Sequence, residues 1–183
     1  KGGEFRKWYG NMIFVVNWEN DGYLIRNHFD NRGKLRSRPQ NTQYYFRESI
    51  TWTLLSSSNF GVRYMPEGAL FDINGMSCFI NNGLFCLLGF MSSKLCDHFL
   101  RIINPTLAFQ VGDIRRLPIL QFGEIENIES ICKKAISLSR IDWDSFETSW
   151  DFKYFPLIKT DFKNGLLEES FKNWSNRCDF NIK

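Results

Sequence analysis

The chain has 183 residues, of which 43% are hydrophobic, 16% aromatic and 23% charged, and its net charge at neutral pH is +3. This composition excludes an intrinsically disordered chain and supplies enough apolar surface for a sizeable core. No apolar run approaches the ~20 residues that a membrane span needs, so we expect no association with a membrane.

The cysteines and the chain ends bear on the setting of the protein. Five cysteines are scattered without a Cys-x-x-Cys pair, and only two histidines are present to assist a metal. This pattern favours free thiols in a reducing cytoplasm over a disulfide framework or a zinc site.

Because the chain starts at Lys1 rather than Met and stops at Lys183 without a turn or cap, we expect a fragment of something longer.

The charge is unevenly distributed along the chain. Residues 1–65 hold ten basic and five acidic residues, a balance of +5, whereas residues 66–123 balance at 0 and residues 124–183 at −2. The first third is therefore where a polyanion would be attracted. A solvated basic face without a partner is the alternative, and charge alone favours it.

The first third is predicted to contain a strand and a long loop. Residues 13–18 are β-branched and aromatic and lie between two turn signals, which predicts a strand. Residues 27–42 are polar with almost no apolar periodicity, which predicts an unusually long loop. Loops of this length in a compact domain are commonly functional or disordered.

The remaining elements predict an α+β fold. Short strands are expected at residues 44–46, 50–55, 62–64, 69–73 and 77–80, in a mixed, largely antiparallel sheet. Apolar residues at three- and four-residue spacing predict helices at 82–103, which Asn104-Pro105 ends, and at 123–140, with another from about residue 166. We expect a recognition-type module over 1–123 and a helical spacer over 124–183.

The long loop has the side chains that nucleic acid requires. Arg36-Ser37-Arg38-Pro39-Gln40-Asn41 combines arginines, which grip guanine bidentately, with the amides that grip adenine. Basic residues elsewhere in the first third can neutralise phosphates. The candidate DNA contacts are Arg6, Lys7, Arg32, Lys34, Arg36, Arg38, Gln40, Asn41 and Arg63. A flexible polar loop with no partner is the alternative, and these residues alone do not decide between the two.

Several long motifs carry a resemblance to a known family. They are KGGEFRKWYGN (1–11), VVNWENDG (15–22), YYFRESITW (44–52), NPTLAFQVGDI (104–114) and DWDSFETSWDF (142–152). In this order they closely resemble the region after the catalytic domain of PglX-like enzymes, the large adenine-specific DNA methyltransferases of BREX phage-defence systems. The resemblance implies a double-stranded DNA recognition module whose parent chain contributes a catalytic domain that uses S-adenosylmethionine.

A looser resemblance concerns the order of elements. A helix, a Gly112-Asp113-Ile114 strand, Leu117-Pro118-Ile119 and a long helix are similar to target-recognition domains of type I specificity subunits and fused type II restriction–modification enzymes. This resemblance implies that residues 112–114 and 117–119 form the hinge between reader and spacer. Which side chains touch bases does not follow from it, because recognition loops in such modules differ with their target.

The chain itself is predicted to be non-catalytic and to hold no cofactor. It lacks a glycine-rich loop for S-adenosylmethionine, and Asn104-Pro105-Thr106-Leu107 lacks the second proline and the ring of the tetrad that grips a flipped adenine. Asp151-Phe152-Lys153 and Asp161-Phe162-Lys163 match half of a nuclease motif, which is a weak signal. The main competing hypothesis is a protein-interaction module that docks other defence components through residues 142–152.

Overall fold

A computed structural model describes residues 2–119, 125–159, 163 and 165–182. Its described elements confirm the predicted α+β class. In chain order they are α1 (Glu19–Arg26), β1 (Ser49–Thr53), β2 (Val62–Met65), β3 (Gly75–Cys78), α2 (Leu84–Ser92), α3 (Lys94–Ile103), α4 (Val111–Ile114), α5 (Ile125–Trp143) and α6 (Leu167–Ile182), with 3-10 turns at Thr42–Tyr44 and Pro156–Ile158.

The three strands form an antiparallel sheet in the order β2-β1-β3. Ile50 of the central strand lies opposite Tyr64 on one side and Cys78 on the other. The predicted strands at 50–55, 62–64 and 77–80 are therefore confirmed, with bounds shifted by one or two residues. This sheet forms because β1 is flanked on both sides by segments that pair with its backbone.

Two other predicted strands are wrong. Residues 44–46 complete a 3-10 turn and enter a bend in which Phe46 has a φ of 65°, and residues 69–73 lie outside the sheet. The amide of Phe46 donates to the Ala69 carbonyl at 3.0 Å, and the Gly68 amide donates to the Phe46 carbonyl at 3.0 Å. These two bonds join Phe46 to residues 68 and 69, and the positive φ angles of Phe46 and Gly68 (65° and 90°) turn both segments away, so the pairing does not extend into a ladder.

The predicted strand at residues 13–18 is also wrong. The segment belongs to no described strand, and the side chains from Ile13 to Val16 are exposed. A β-branched run becomes a strand only where a partner pairs with its backbone, and its high β-propensity does not provide one.

The predicted helix at 82–103 is two helices separated at Ser93. Ser93 has a ψ of 156°, and its hydroxyl accepts the Cys96 amide at 3.2 Å, which caps α3. Residues 112–114 lie in the helical turn α4 rather than a strand, because Asp113 and Gln110 cap its first turn. The predicted helix start and module boundary at residues 123 and 124 lie outside the described residues.

A single core joins the sheet to the helices. Ile50, Trp52 and Val62 are buried with Leu88 of α2, and the Trp52 indole donates to the Phe109 carbonyl at 2.8 Å. Gly89 brings α2 close to α5, because a Cβ at this position would lie 2.9 Å from the Cys132 sulfur. No helix of the described residues is long and apolar enough to span a membrane.

Candidate nucleic-acid interface

The basic loop, residues 27–42, contains a small hairpin. Phe29 and Leu35 form an antiparallel bridge, and the Arg36 amide donates to the His28 carbonyl at 2.8 Å. Nearer the tip, the Asp30 amide donates to the Lys34 carbonyl at 2.9 Å. The predicted loop is confirmed, and its central part has a defined backbone.

One carboxylate organises the tip of this hairpin. Asp30 Oδ1 accepts the backbone amides of both Arg32 and Lys34, each at 2.9 Å. Gly33, between them, has a φ of 76°, which a glycine adopts without steric cost. Because the amides at the tip bond to Asp30, the adjacent basic side chains stand on a fixed turn.

The basic loop exposes six of the predicted DNA contacts. The side chains of Arg32, Lys34, Arg36, Arg38, Gln40 and Asn41 are all exposed. With Asp30 as its one acidic residue, the loop has a net charge of +3, equal to that of the whole chain. The nearest charged atoms of Arg36 and Asp30 are 4.0 Å apart, so the ion pair between them is weak and solvent-exposed.

An aromatic cluster holds the base of the basic loop. Trp18, which precedes α1, makes an edge contact with Tyr45, which follows the loop, at a centroid distance of 5.0 Å. Tyr45 also contacts Phe71 at 5.2 Å, and the Arg26 guanidinium lies 5.5 Å from the Trp18 ring centroid. Contacts of this kind are worth about 0.5–1.5 kcal/mol beyond burial, so they fasten the two ends of the loop together.

Two further cations lie at this aromatic base, of which Arg47 belongs to the basic residues of the first third expected to neutralise phosphates and Arg26 was not predicted. The Arg47 guanidinium lies 5.5 Å from the Tyr44 centroid and 5.9 Å from that of Phe79. Tyr44 and Phe79 are stacked at 4.9 Å. Arg26 is paired with Asp21 at 3.1 Å, so it has a partner within the chain. Arg47 lies beside aromatic rings, and an arginine stacked on a ring keeps its outer face available to an anion.

Arg6 and Lys7 lie elsewhere and have partners within the chain. Arg6 forms an ion pair with Asp142 at the end of α5, and its Nε donates to the Tyr9 carbonyl at 2.9 Å. The Lys7 ammonium donates to the carbonyl of Ser92 at 2.8 Å. Both cations therefore fasten the N-terminal segment to the helices.

Arg63 is an interior residue. Its side chain is 1% exposed, and its Nη2 donates to the Gly2 carbonyl at 2.8 Å. Burial lowers the pKa of Arg63 to about 10, and the charge of Arg6 adds to this effect. Arg63 thus holds the N-terminal segment against β2 and presents no guanidinium to solvent.

The acidic segment 142–152 is also used within the chain. Besides the ion pair of Asp142 with Arg6, Asp151 lies 3.0 Å from Arg140, and Asp144 accepts the Ser149 hydroxyl at 2.7 Å. Among the described residues, no group of three His, Cys, Asp or Glu side chains is placed to hold a metal ion. Of the second nuclease-like triplet, Asp161 and Phe162 lie outside the described residues.

Comparison with known proteins identifies the class of the chain. It is 40% identical over 186 residues to the adenine-specific methyltransferase PglX of Lacticaseibacillus casei (strain Zhang), covering 98% of this chain and 15% of that protein. It is 39% identical over 183 residues to the adenine-specific methyltransferase BrxX of Escherichia coli O9:H4 (strain HS), covering 98% and 14%. No protein-family model matches.

These relatives and the α+β fold define the chain as a segment related to adenine-specific methyltransferases. Within that class it is PglX-like, as the motifs at 1–11, 15–22, 44–52, 104–114 and 142–152 predicted. The chain spans about one seventh of the length of the relatives that it matches.

Proposed function

We propose that this chain is the double-stranded DNA recognition module of an adenine-specific DNA methyltransferase, and that the basic loop is its contact surface. The observation that carries the proposal is the hairpin tip, where Asp30 fixes the backbone beneath the exposed Arg32 and Lys34. The major groove of B-DNA admits a two-stranded β-ribbon, and this hairpin, closed by the single Phe29–Leu35 bridge, is a short element of the same type.

The loop supplies two kinds of contact. Arg32, Lys34 and Arg36 are suited to phosphates, and each neutralised phosphate releases counterions and adds to the salt dependence of binding. Arg38, Gln40 and Asn41 follow the hairpin and have the fork and amide groups that read guanine and adenine edges. Arg6, Lys7 and Arg63 are left out of the proposed interface, because each has a partner inside the chain.

The remaining chemistry belongs to other parts of a longer protein. We expect S-adenosylmethionine and the target adenine to be bound by a catalytic domain of the same parent chain, in the cytoplasm, as part of phage defence. Both relatives are adenine-specific methyltransferases, which supports this assignment. The present segment positions the enzyme on the duplex.

A salt titration of duplex binding tests the proposal. We expect the double variant Arg32→Glu, Lys34→Glu to weaken binding at least tenfold in low salt, and to reduce the slope of log affinity against log salt by about 2. The matched control is Lys172→Glu, Arg177→Glu, which changes the same charge at two exposed positions of α6. This control should stay within about twofold of wild type, because exposed charges outside the contact surface are largely screened by salt.

Equal losses in the two double variants would contradict a role for the loop, since only net charge would then matter. Charge reversal at Arg36 and Arg38 in the parent enzyme separates DNA reading from protein docking. Lost methylation with an intact assembly supports the loop as a DNA reader. A lost assembly with intact methylation supports docking of other defence proteins instead.

A further inference from the structure

The segment before α1 has four consecutive apolar side chains that are all exposed. From Ile13 to Val16 the exposed fraction lies between 42% and 74%, and Val15 has the highest value. A strand or an amphipathic helix would bury about half of such a run. Consecutive exposed apolar residues in a folded domain indicate a surface that another protein element covers.

This run is held in place at both ends. Asn11 donates to the carbonyls of Gly2 and Glu4 at 2.9 and 2.8 Å, and Trp18 packs on Tyr45. The Trp150 indole donates to the Ile13 carbonyl at 3.0 Å. Trp150 is itself 69% exposed, so its ring extends the apolar surface. We name residues 13–16 together with Trp150 the apolar face.

The chemistry of the apolar face selects its partner. Residues 11–18 include no charged side chain. Nucleic acid would require cations here, because its affinity depends on phosphate neutralisation. An apolar protein surface fits, since removing these side chains from water is favourable.

The chain has a larger solvent-accessible area than a self-contained protein of the same mass. The solvent-accessible area is 12851 Å², whereas a self-contained globular protein of 21.6 kDa exposes about 9,200 Å². The matched relatives are about seven times longer than this chain, so most of such a protein lies outside it. A neighbouring domain of one chain acts at a millimolar-range effective concentration, which favours it over a separate partner.

We infer that the apolar face packs against another domain of the same longer methyltransferase chain and fixes the position of the basic loop relative to it. The inference rests on the relationship to the longer methyltransferases and does not depend on DNA binding by the basic loop. Its failure would leave the salt titration of the loop variants unchanged, so the two proposals fail separately.

The test uses the full-length methyltransferase. Val15→Asp is compared with Ile73→Asp, because both side chains are 74% exposed in the structure and only Val15 belongs to the apolar face. A carboxylate in a packed interface should raise the rate of limited proteolysis between this module and its neighbour by about tenfold or more. Ile73→Asp should leave that rate at the wild-type value.

Hydroxyl-radical footprinting of unmodified full-length protein gives a second readout that needs no variant. We expect Trp150 to oxidise nearly as slowly as the buried Trp52. Oxidation of Trp150 at the rate of a free indole, or equal effects of the two substitutions, would overturn the inference. A Val15→Asp enzyme that sediments as a smaller species than wild type would also overturn it, because the occupant would then be a second copy.

Discussion

Three arginines of the N-terminal third show that the environment of a side chain decides whether it stabilises the fold or is available at the surface. Arg63 is buried between the sheet and the N-terminal segment, Arg6 is paired with Asp142, and Arg32 is exposed on a hairpin tip. A guanidinium has five donors in a fixed fork, so it bridges several carbonyls as readily as it contacts a phosphate. Its neighbours decide which of these it does.

Arg63→Lys tests the structural assignment. Lysine keeps the charge, but its single ammonium cannot reproduce the fork that reaches the carbonyls of Gly2 and Arg6. Hydrogen bonds to charged groups contribute about 1.5–3 kcal/mol each, so we expect the free energy of unfolding to fall by about 2 kcal/mol. Urea denaturation measures this change as a lower midpoint with an unchanged slope.

The control for this substitution is Arg32→Lys, at an exposed position of the basic loop. Surface substitutions of this kind change the free energy of unfolding by no more than about 0.5 kcal/mol. If Arg63→Lys instead left unfolding unchanged and weakened duplex binding, Arg63 would be a DNA contact rather than a structural residue.

The burial of Arg63 could not be predicted from the sequence. The strand Val62–Met65 places Arg63 opposite Thr51, a pairing between positions twelve residues apart. The Arg63 side chain is covered by residues 2–8, which are more than fifty residues away in the sequence. Trp8 of this segment forms a backbone bridge with Arg63. Neither residue type nor local spacing specifies such a contact, so a charge count places Arg63 on the surface.

At the scale of elements, the sequence predicted the basic loop and the three strands that find pairing partners in the sheet, and it failed where a segment has no partner or where a single side chain ends a helix. The basic loop was predicted because it is polar and rich in turn residues, and its hairpin closes through bonds between residues 28 and 36. The strand at residues 13–18 was wrong because pairing depends on a distant partner. The break at Ser93 was missed because apolar spacing continues through it, whereas the cap that starts α3 depends on a single hydroxyl.

Two substitutions of Asp30 distinguish the effect of its charge on DNA binding from the effect of the fixed hairpin turn. Asp30→Asn removes the one negative charge of the basic loop and keeps an oxygen that accepts the Arg32 and Lys34 amides. Asp30→Ala removes both. We expect Asn to strengthen duplex binding by about fivefold at low salt, since one repulsive charge near phosphates is worth roughly 1 kcal/mol. We expect Ala to bind more weakly than Asn because the tip must be ordered on binding.

Fluorescence anisotropy with one duplex at several salt concentrations measures these affinities, and hydrogen exchange at the Arg32 and Lys34 amides reports the order of the tip. Faster exchange in Asp30→Ala alone should accompany its weaker binding. Equal affinities for the two variants would show that the fixed turn contributes nothing to binding, and that net charge alone determines the interaction.

Over the whole molecule, the N-terminal segment connects the sheet to α5. On one side the Trp8 amide donates to the Val62 carbonyl at 2.8 Å. On the other, the Ser139 hydroxyl bonds to the carbonyls of Lys7 and Tyr9 at 3.0 and 3.3 Å. Long-range contacts of this kind cross the predicted boundary at residue 123, which leads us to expect that the parts before and after it fold together.

Truncation of the chain tests whether the two parts fold together. A 1–123 chain lacks Cys132 and Trp143, both buried in the complete chain, and loses the Asp142 partner of Arg6. Each large buried side chain that is lost costs about 1.5–3 kcal/mol of stability. The loss of several such contacts approaches the 5–15 kcal/mol by which a typical domain is stable. We therefore expect 1–123 to lack a cooperative unfolding transition and to give a poorly dispersed amide NMR spectrum.

The matched control is a 1–159 chain, which keeps α5, the ion pair of Arg6 with Asp142 and the bond of Trp150 to Ile13, while omitting α6. It should unfold in one transition by circular dichroism, because every contact between the N-terminal segment and α5 is retained. A well-dispersed spectrum from 1–123 would instead make residue 123 a true domain boundary. The N-terminal segment would then need only the sheet, through Arg63 and Val62, to hold its position beside β2.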